Sequence, residues 1–156
     1  MQNTWDVFFP TTLRYYWKSI FLDEIGEADI AQAIALAEER PTPETLFALR
    51  HLGGAYSRIP DDATAFGNRR SPFNLSIDTT WSDPADDERM IGWTRQAWQA
   101  VRDRTGGGVY LNFAGLGEEN ELLARAAHGG NYERLRAIKR RYDPQNVFRG
   151  NVNIKP

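Results

Sequence analysis

Three polar side chains, Asn74, Ser76 and Asp78, recur at every second position between Phe73 and Trp81. At that spacing an amide, a hydroxyl and a carboxyl share one face of a strand, where they can hydrogen-bond whatever lies across it. Antiparallel sheets often leave one face to water. Pattern alone therefore leaves solvent, a ligand and another domain all open as the partner of this face. Tyr110 and Asn112 form a second pair of the same kind, and a hydroxyl and an amide together can fix a polar ring edge. Asn146, Asn151 and Asn153 crowd the C-terminal tail, where asparagine is also ordinary turn chemistry.

Other chemistries are excluded or unsupported. The 156 residues contain no cysteine, which removes disulfides, zinc–thiolate sites and thiol catalysis. His51 and His128 are too few and too isolated for a histidine metal site, so no metal is expected. No Ser-His-Asp order, HExxH or Walker pattern occurs, and Gly106-Gly107-Gly108 is not a dinucleotide fingerprint because no strand precedes it. With 19 basic and 21 acidic side chains the formal net charge is -2, unlike the basic face of a nucleic-acid binder. Arg134 to Arg141 is interrupted by apolar residues at helical spacing and reads as the wet side of a helix. No apolar run approaches the ~20 residues of a membrane span. A soluble, cytoplasmic protein with neither nucleic-acid nor membrane partners is expected.

These residues need elements to hold them. Thr12 to Leu22 alternates and is rich in aromatics, which favours a strand. Gly26 to Arg40 places Ile30, Ala33, Ile34 and Ala37 on one helical face and stops at Pro41. Thr45 to Leu52 reads as a strand ending at Gly53-Gly54, with Ala55 to Ile59 as a possible continuation and Thr64 to Arg69 as a short extended piece. Phe73 to Trp81 has strict period two and is the clearest strand. Asp83-Pro84 opens a helix whose stripe is Met90, Trp93, Thr94, Ala97, Trp98 and Val101. Val109 to Ala114 alternates again and predicts a strand. Glu118 to Ala127 predicts a short helix stopped by Gly129-Gly130. A last helix, capped by Asn131, carries Leu135, Ile138 and Tyr142 on one face and ends at Asp143-Pro144. Strands and helices without strict alternation predict an α+β fold, one antiparallel sheet with helices packed on one face.

The last third of the chain resembles a known family. Gly108-Val109-Tyr110-Leu111-Asn112-Phe113, Gly130-Asn131-Tyr132-Glu133-Arg134-Leu135, Tyr142-Asp143-Pro144-Gln145-Asn146-Val147-Phe148 and Asn151-Val152-Asn153-Ile154 look, in that order, like the C-terminal signature of berberine-bridge-enzyme-like FAD-linked oxidoreductases. Leu13 to Ser19, Leu52 to Ala55 with Arg58, and Thr64-Ala65-Phe66 with Arg69 resemble bacterial members upstream. The resemblance divides the chain into a substrate-domain portion, 1–107, and a berberine-bridge-like C-terminal segment, 108–156. It implies that Met1 is a truncated start, with the N-terminal FAD-binding domain lying outside this sequence as a partner in cis or in trans.

What the resemblance implies about function follows residue by residue. The substrate-side sheet would roof the flavin and position a small organic substrate for hydride transfer, with oxygen as the final acceptor. Asn74, Ser76 and Asp78, joined by Tyr16 and Lys18 from the neighbouring strand, would contact substrate. Tyr110 and Asn112 match the family's Y-x-N, and Asn151 and Asn153 its terminal N-x-N-I; these four would approach FAD. Relatives often carry tyrosine, as a base, where this chain has Phe113, and histidine where it has Asn68, so no catalytic residue is assigned. The base would be Tyr110 or a residue outside the chain. FAD is not expected on this chain alone. The rival expectation is a stand-alone binding or interaction module derived from the family, with self-association through the exposed sheet face.

Overall fold

In the computed structural model, which describes residues 9–105, 108–115, 117, 121–150 and 152–156, the alternating segments form one three-stranded antiparallel sheet. In chain order the elements are β1 (Arg14–Leu22), α1 (Glu27–Glu38), β2 (Leu46–His51), β3 (Phe73–Trp81), α2 (Asp87–Thr105), α3 (Glu121–His128) and α4 (Tyr132–Tyr142). The strand order is β1-β3-β2. The most strictly alternating segment is thus the central strand, hydrogen-bonded on both edges.

Register sorts the side chains into two faces. Ile20 lies opposite Leu75, Lys18 opposite Ile77 and Tyr16 opposite Thr79, while Phe47 faces Ile77 from the other edge. Residues opposite each other in a ladder project to the same side, so these make one apolar face. α2 covers it with Met90, Thr94, Ala97, Trp98 and Val101, residues three or four apart along one helical stripe. Ile20, Leu22, Leu75, Ile77, Ala97, Trp98, Val101 and Val109 form the main core cluster. Fully burying each such aliphatic side chain stabilises by about 1.5–3 kcal/mol.

Polar bonds fix α2 on the sheet. Asp83 Oδ1 accepts from Ala85 N at 2.9 Å, and Pro84 follows, as expected of a helix entry. Asp87 receives the Arg14 fork at 2.6 and 2.5 Å and the Trp81 indole at 2.9 Å. Trp98 Nε1 donates to Ser19 O at 3.0 Å. α1 packs more loosely. Its stripe leaves Ile30 and Ile34 exposed, and Leu36 and Ile25 are the residues that reach the core.

Several expected elements differ. Val109 to Ala114 is not a strand: after one backbone bond, Phe21 N to Gly108 O at 2.9 Å, the chain turns into a single 3-10 turn at Leu111–Phe113. Glycines at 108, 115 and 117, the last two with φ of 88° and 78°, bend the segment away from the β1 edge before a ladder forms. Ala55 to Ile59 turns instead of continuing β2, and Thr64 to Arg69 opens with bends at Thr64 and Ala65 and then runs without a strand partner. Asn131 does not cap α4 with its side chain; its Nδ2 donates to Asp61 O at 2.6 Å and ties the helix start to that loop. The expected start of α3 at 118–120 lies outside the described residues. No helix among the described residues is long and apolar enough to cross a membrane.

Candidate functional site

The other face of the sheet carries Asn74, Ser76, Asp78 and Thr80 on β3, with Phe21, Ser19, Trp17 and Tyr15 opposite them on β1 and Arg50 opposite Asn74 on β2. It is not left to water. Asn74 is 3% exposed, Ser76 0% and Asp78 6%. Loops rather than helices cover it. Phe66 stacks edge-on against Phe21 at 5.9 Å, and Phe113 against Trp17 at 5.4 Å.

Between this face and its loops lies a cavity of about 600 Å³, within the size range of small-molecule sites. Its wall is aromatic: Phe21, Tyr56, Phe66, Tyr110 and Phe113, with Leu52. The rings meet edge to face, with Tyr110 at 6.1 Å from Phe21, 6.3 Å from Phe66 and 5.3 Å from Phe113, the preferred geometry for quadrupoles. Asn74 and two guanidiniums, Arg50 and Arg69, complete the lining. Arg50 lies 5.3 Å over the Phe113 ring and Arg69 4.9 Å over Phe66.

Beneath the cavity runs a short polar chain. Arg50 Nη1 donates to Ser76 Oγ at 2.8 Å, with Asp78 next along the same strand face. Burial pushes the Asp78 carboxyl up from its ordinary value, while the Ser76 bond and the Arg50 charge pull it back. Three buried polar atoms on this face have no hydrogen-bond partner in the structure: Trp17 Nε1, Ser19 Oγ and Asp78 Oδ1. Unpaired polar atoms are costly in a fold's interior and commonly mark a functional site.

The predicted site residues separate into groups. Asn74 and Tyr110 line the cavity. Ser76 and Asp78 lie on the same sheet face behind it. Asn74 also donates to Ile20 O at 3.2 Å. Tyr110 and Asn112 do not share a strand face as expected, yet the 3-10 turn brings them together, with Asn112 Nδ2 donating to Tyr110 Oη at 2.7 Å. Asn112 is exposed and Asn153 half-buried; neither is in the cavity wall. Asn151 lies outside the described residues.

Tyr16 and Lys18 project to the opposite, helix-covered face, so they do not join Asn74, Ser76 and Asp78. The Tyr16 hydroxyl accepts from Arg95 Nε at 3.1 Å, beside Trp81 and Met90. Lys18 Nζ sits 4.1 Å from the Trp98 ring centroid and donates to Ala114 O at 3.4 Å. The strand's two faces were legible in the sequence, but which of them faces the same way as Asn74 depends on register, and a one-residue shift exchanges the faces.

Sequence reasoning passed over Arg50, Tyr56 and Phe21 as cavity residues. Arg50 carried a signal, a cation between Leu49 and His51 in a short strand, but its alignment with Asn74 required the β2–β3 register. Among the described residues no group of three or more His, Asp or Glu side chains is placed to hold a metal ion.

Helices on one face of an antiparallel sheet and a loop-covered aromatic cavity on the other define an α+β domain. The family model described as berberine and berberine-like matches residues 109–155. An aclacinomycin-N/aclacinomycin-A oxidase of Streptomyces galilaeus is 29% identical over 120 residues, 67% of this chain and 22% of the relative. The FAD-linked oxidoreductase YvdP of Bacillus subtilis strain 168 is 32% identical over 119 residues, 76% of this chain and 26% of the relative. The crystal structure of CrmK, a flavoenzyme involved in shunt product recycling in caerulomycin biosynthesis, superposes with a TM-score of 0.79 at 25% identity over 94% of this chain and 33% of that one. The chain belongs to the berberine-bridge-enzyme-like family of FAD-linked oxidoreductases, and it spans 22% and 26% of the two curated relatives' lengths.

Proposed function

We propose that this chain is the substrate-side roof of an oxygen-dependent FAD-linked oxidoreductase, holding a small organic substrate against the flavin for hydride transfer. One observation carries the proposal. The polar sheet face opens into an aromatic cavity of about 600 Å³, with the unpartnered Trp17 Nε1 and Asp78 Oδ1 buried on that face. A planar ring system fits such a lining, because aromatic edges and faces stack on it without charge of their own.

FAD, when bound, supplies hydride acceptance. The chain's own residues would orient and enclose. Tyr110 and Asn112, already bonded to each other, would meet the cofactor's polar edge, with Asn151 and Asn153 from the tail. Asn74 would fix the substrate from the sheet, with Ser76 and Asp78 behind it supporting Arg50. Phe21, Phe66 and Phe113 would exclude water from the reacting atoms. Phe113 carries no exchangeable proton. Tyr110, which accepts from Asn112 and so keeps its own proton for another partner, is the nearest candidate to move one within this chain.

Exposed apolar side chains support a place for the FAD-binding domain in this reading. Leu122, Tyr142, Val147 and Phe148 are 66–81% exposed, and large exposed apolar side chains are what a partner surface would cover. That domain, in cis or in trans, would cover them. The same exposure favours a second reading, a stand-alone module that pairs with its own copy. The deciding experiment mixes the purified chain with an FAD-binding domain from a relative and follows flavin absorbance through a sizing column. Co-elution of a yellow complex is expected, with the chain alone colourless and monomeric. A dimeric chain that ignores the flavin domain would establish the second reading instead.

A further inference from the structure

Two guanidiniums share the cavity without a carboxylate to neutralise them. Arg14, Arg70, Arg89, Arg104, Arg125 and Arg136 each pair with Asp or Glu. Among the described residues Arg50 and Arg69 pair with none. Arg50 spends one nitrogen on the Ser76 hydroxyl at 2.8 Å. Arg69 spends one on Thr64 Oγ1 at 3.1 Å, and its buried Nε has no hydrogen-bond partner. The Asp61 carboxylate pairs with Arg70 through Oδ2 at 2.6 Å, its Oδ1 buried without a hydrogen-bond partner, and it does not line the cavity. Both cations lie over rings of the wall rather than out in water.

We infer that the cavity selects an aromatic carboxylate, its ring stacked among Phe21, Phe66 and Phe113 and its carboxylate held by Arg50 and Arg69. Guanidinium forks match carboxylates in plane and spacing, and such charge-assisted bonds are among the strong ones in proteins. An uncharged aromatic would leave two partly buried cations without a counter-ion. The anion thus supplies what the sequence withholds from the cavity wall. Asp78 does not take that role: it stands on the sheet behind Ser76, outside the cavity wall.

This inference deepens the roof reading and rests on it for the cavity's role as the substrate site. Its test uses the full chain, titrated with 2-naphthoate and with 2-naphthamide and followed by tryptophan fluorescence. Naphthoate is expected to bind roughly tenfold or more tighter than the amide, as one or two charge-assisted bonds require. Arg50→Gln and Arg69→Gln should each remove roughly tenfold of naphthoate affinity and little of naphthamide affinity. Added salt should weaken naphthoate alone in the unmodified chain, a readout independent of how the variants fold. Equal affinity for acid and amide, no saturable binding of either, or salt-insensitive naphthoate binding would overturn the inference. The titration contains no flavin. Selective naphthoate binding together with failure to join an FAD-binding domain would therefore sink the roof reading while supporting the anion site.

Discussion

Arg50 reaches diagonally across the β2–β3 ladder to Ser76, whose Oγ accepts from its Nη1 at 2.8 Å. Directly opposite Arg50 in register is Asn74, so the long side chain leans one pair along the strand. That lean places a positive charge near Asp78, where Arg50 and Ser76 both pull its pKa down against burial.

Removing the hydroxyl should therefore show at Asp78. In Ser76→Ala the carboxyl loses a bond that lowers its pKa, while the burial that raises it remains. Carboxyl NMR titration should find Asp78 higher still in the variant. Because its folded pKa is raised above the unfolded value, Asp78 favours folding below the unfolded value and loses that contribution as pH rises through the folded one. Asp78→Asn should flatten the decline toward neutral pH, as followed by urea unfolding at stepped pH. An unchanged pH profile would show that Asp78 is not desolvated in solution.

A second buried pair joins sheet and helix. Thr79 Oγ1 and Thr94 Oγ1 are 2.6 Å apart, both fully buried, and Thr94 also donates to Met90 O at 2.8 Å. Thr94→Val strands the Thr79 hydroxyl and should cost about 1–3 kcal/mol, whereas Thr79→Val/Thr94→Val should recover most of that loss. A double-mutant cycle by denaturant unfolding measures the coupling. Strict additivity would mean that the two hydroxyls do not bond.

Much of this arrangement was legible in the chain. Phe73 to Trp81 alternates without a break, so its two faces follow from side-chain chemistry, whereas its central place in the sheet comes from the pairing. The stripe from Met90 to Val101 announces the helix that covers one of them. What covers the other could not be read, because 52–72 has no periodicity, 109–114 has a misleading one, and both are held by single bonds. Tyr56 Oη to Asn68 O and Phe21 N to Gly108 O are examples. Val109 to Ala114 imitated a strand because alternation records which side chains are apolar, and says nothing of whether an edge is present to receive a ladder. Tyr16 and Lys18 went to the wrong face for the same reason.

The end of α2 nearest β3 should respond to acid. Asp87 is held below its ordinary pKa chiefly by the Arg14 hydrogen bonds, with Trp81 adding to them. Its folded pKa is depressed, so its contribution is present above the unfolded value and is lost as pH falls through the folded one. Asp87→Asn should lower Tm at neutral pH and abolish part of the acid-side decline. Thermal melts from pH 7 down to about 3, the range where carboxylates titrate, provide the check. An Asn variant that matches the parent at neutral pH would show the fork to be ornamental.

Gly108 offers the last test, and it reaches from the cavity loop to α3. A Cβ there would stand 2.4 Å from Asn68 Oδ1, closer than any real contact. Asn68 in turn donates from Nδ2 to Ala127 O at 3.1 Å. Gly108→Ala should push the amide aside and break that bond, at a cost of about 1 kcal/mol. The cost is kept moderate because a side chain, and not backbone, has to move. Asn68→Ala should already forfeit the bond and make room, so Gly108→Ala should add little in that background. Hydrogen exchange at the end of α3 and denaturant unfolding would read both effects. A full penalty from Gly108→Ala in the Asn68→Ala chain would place the obstacle in the backbone of the loop instead.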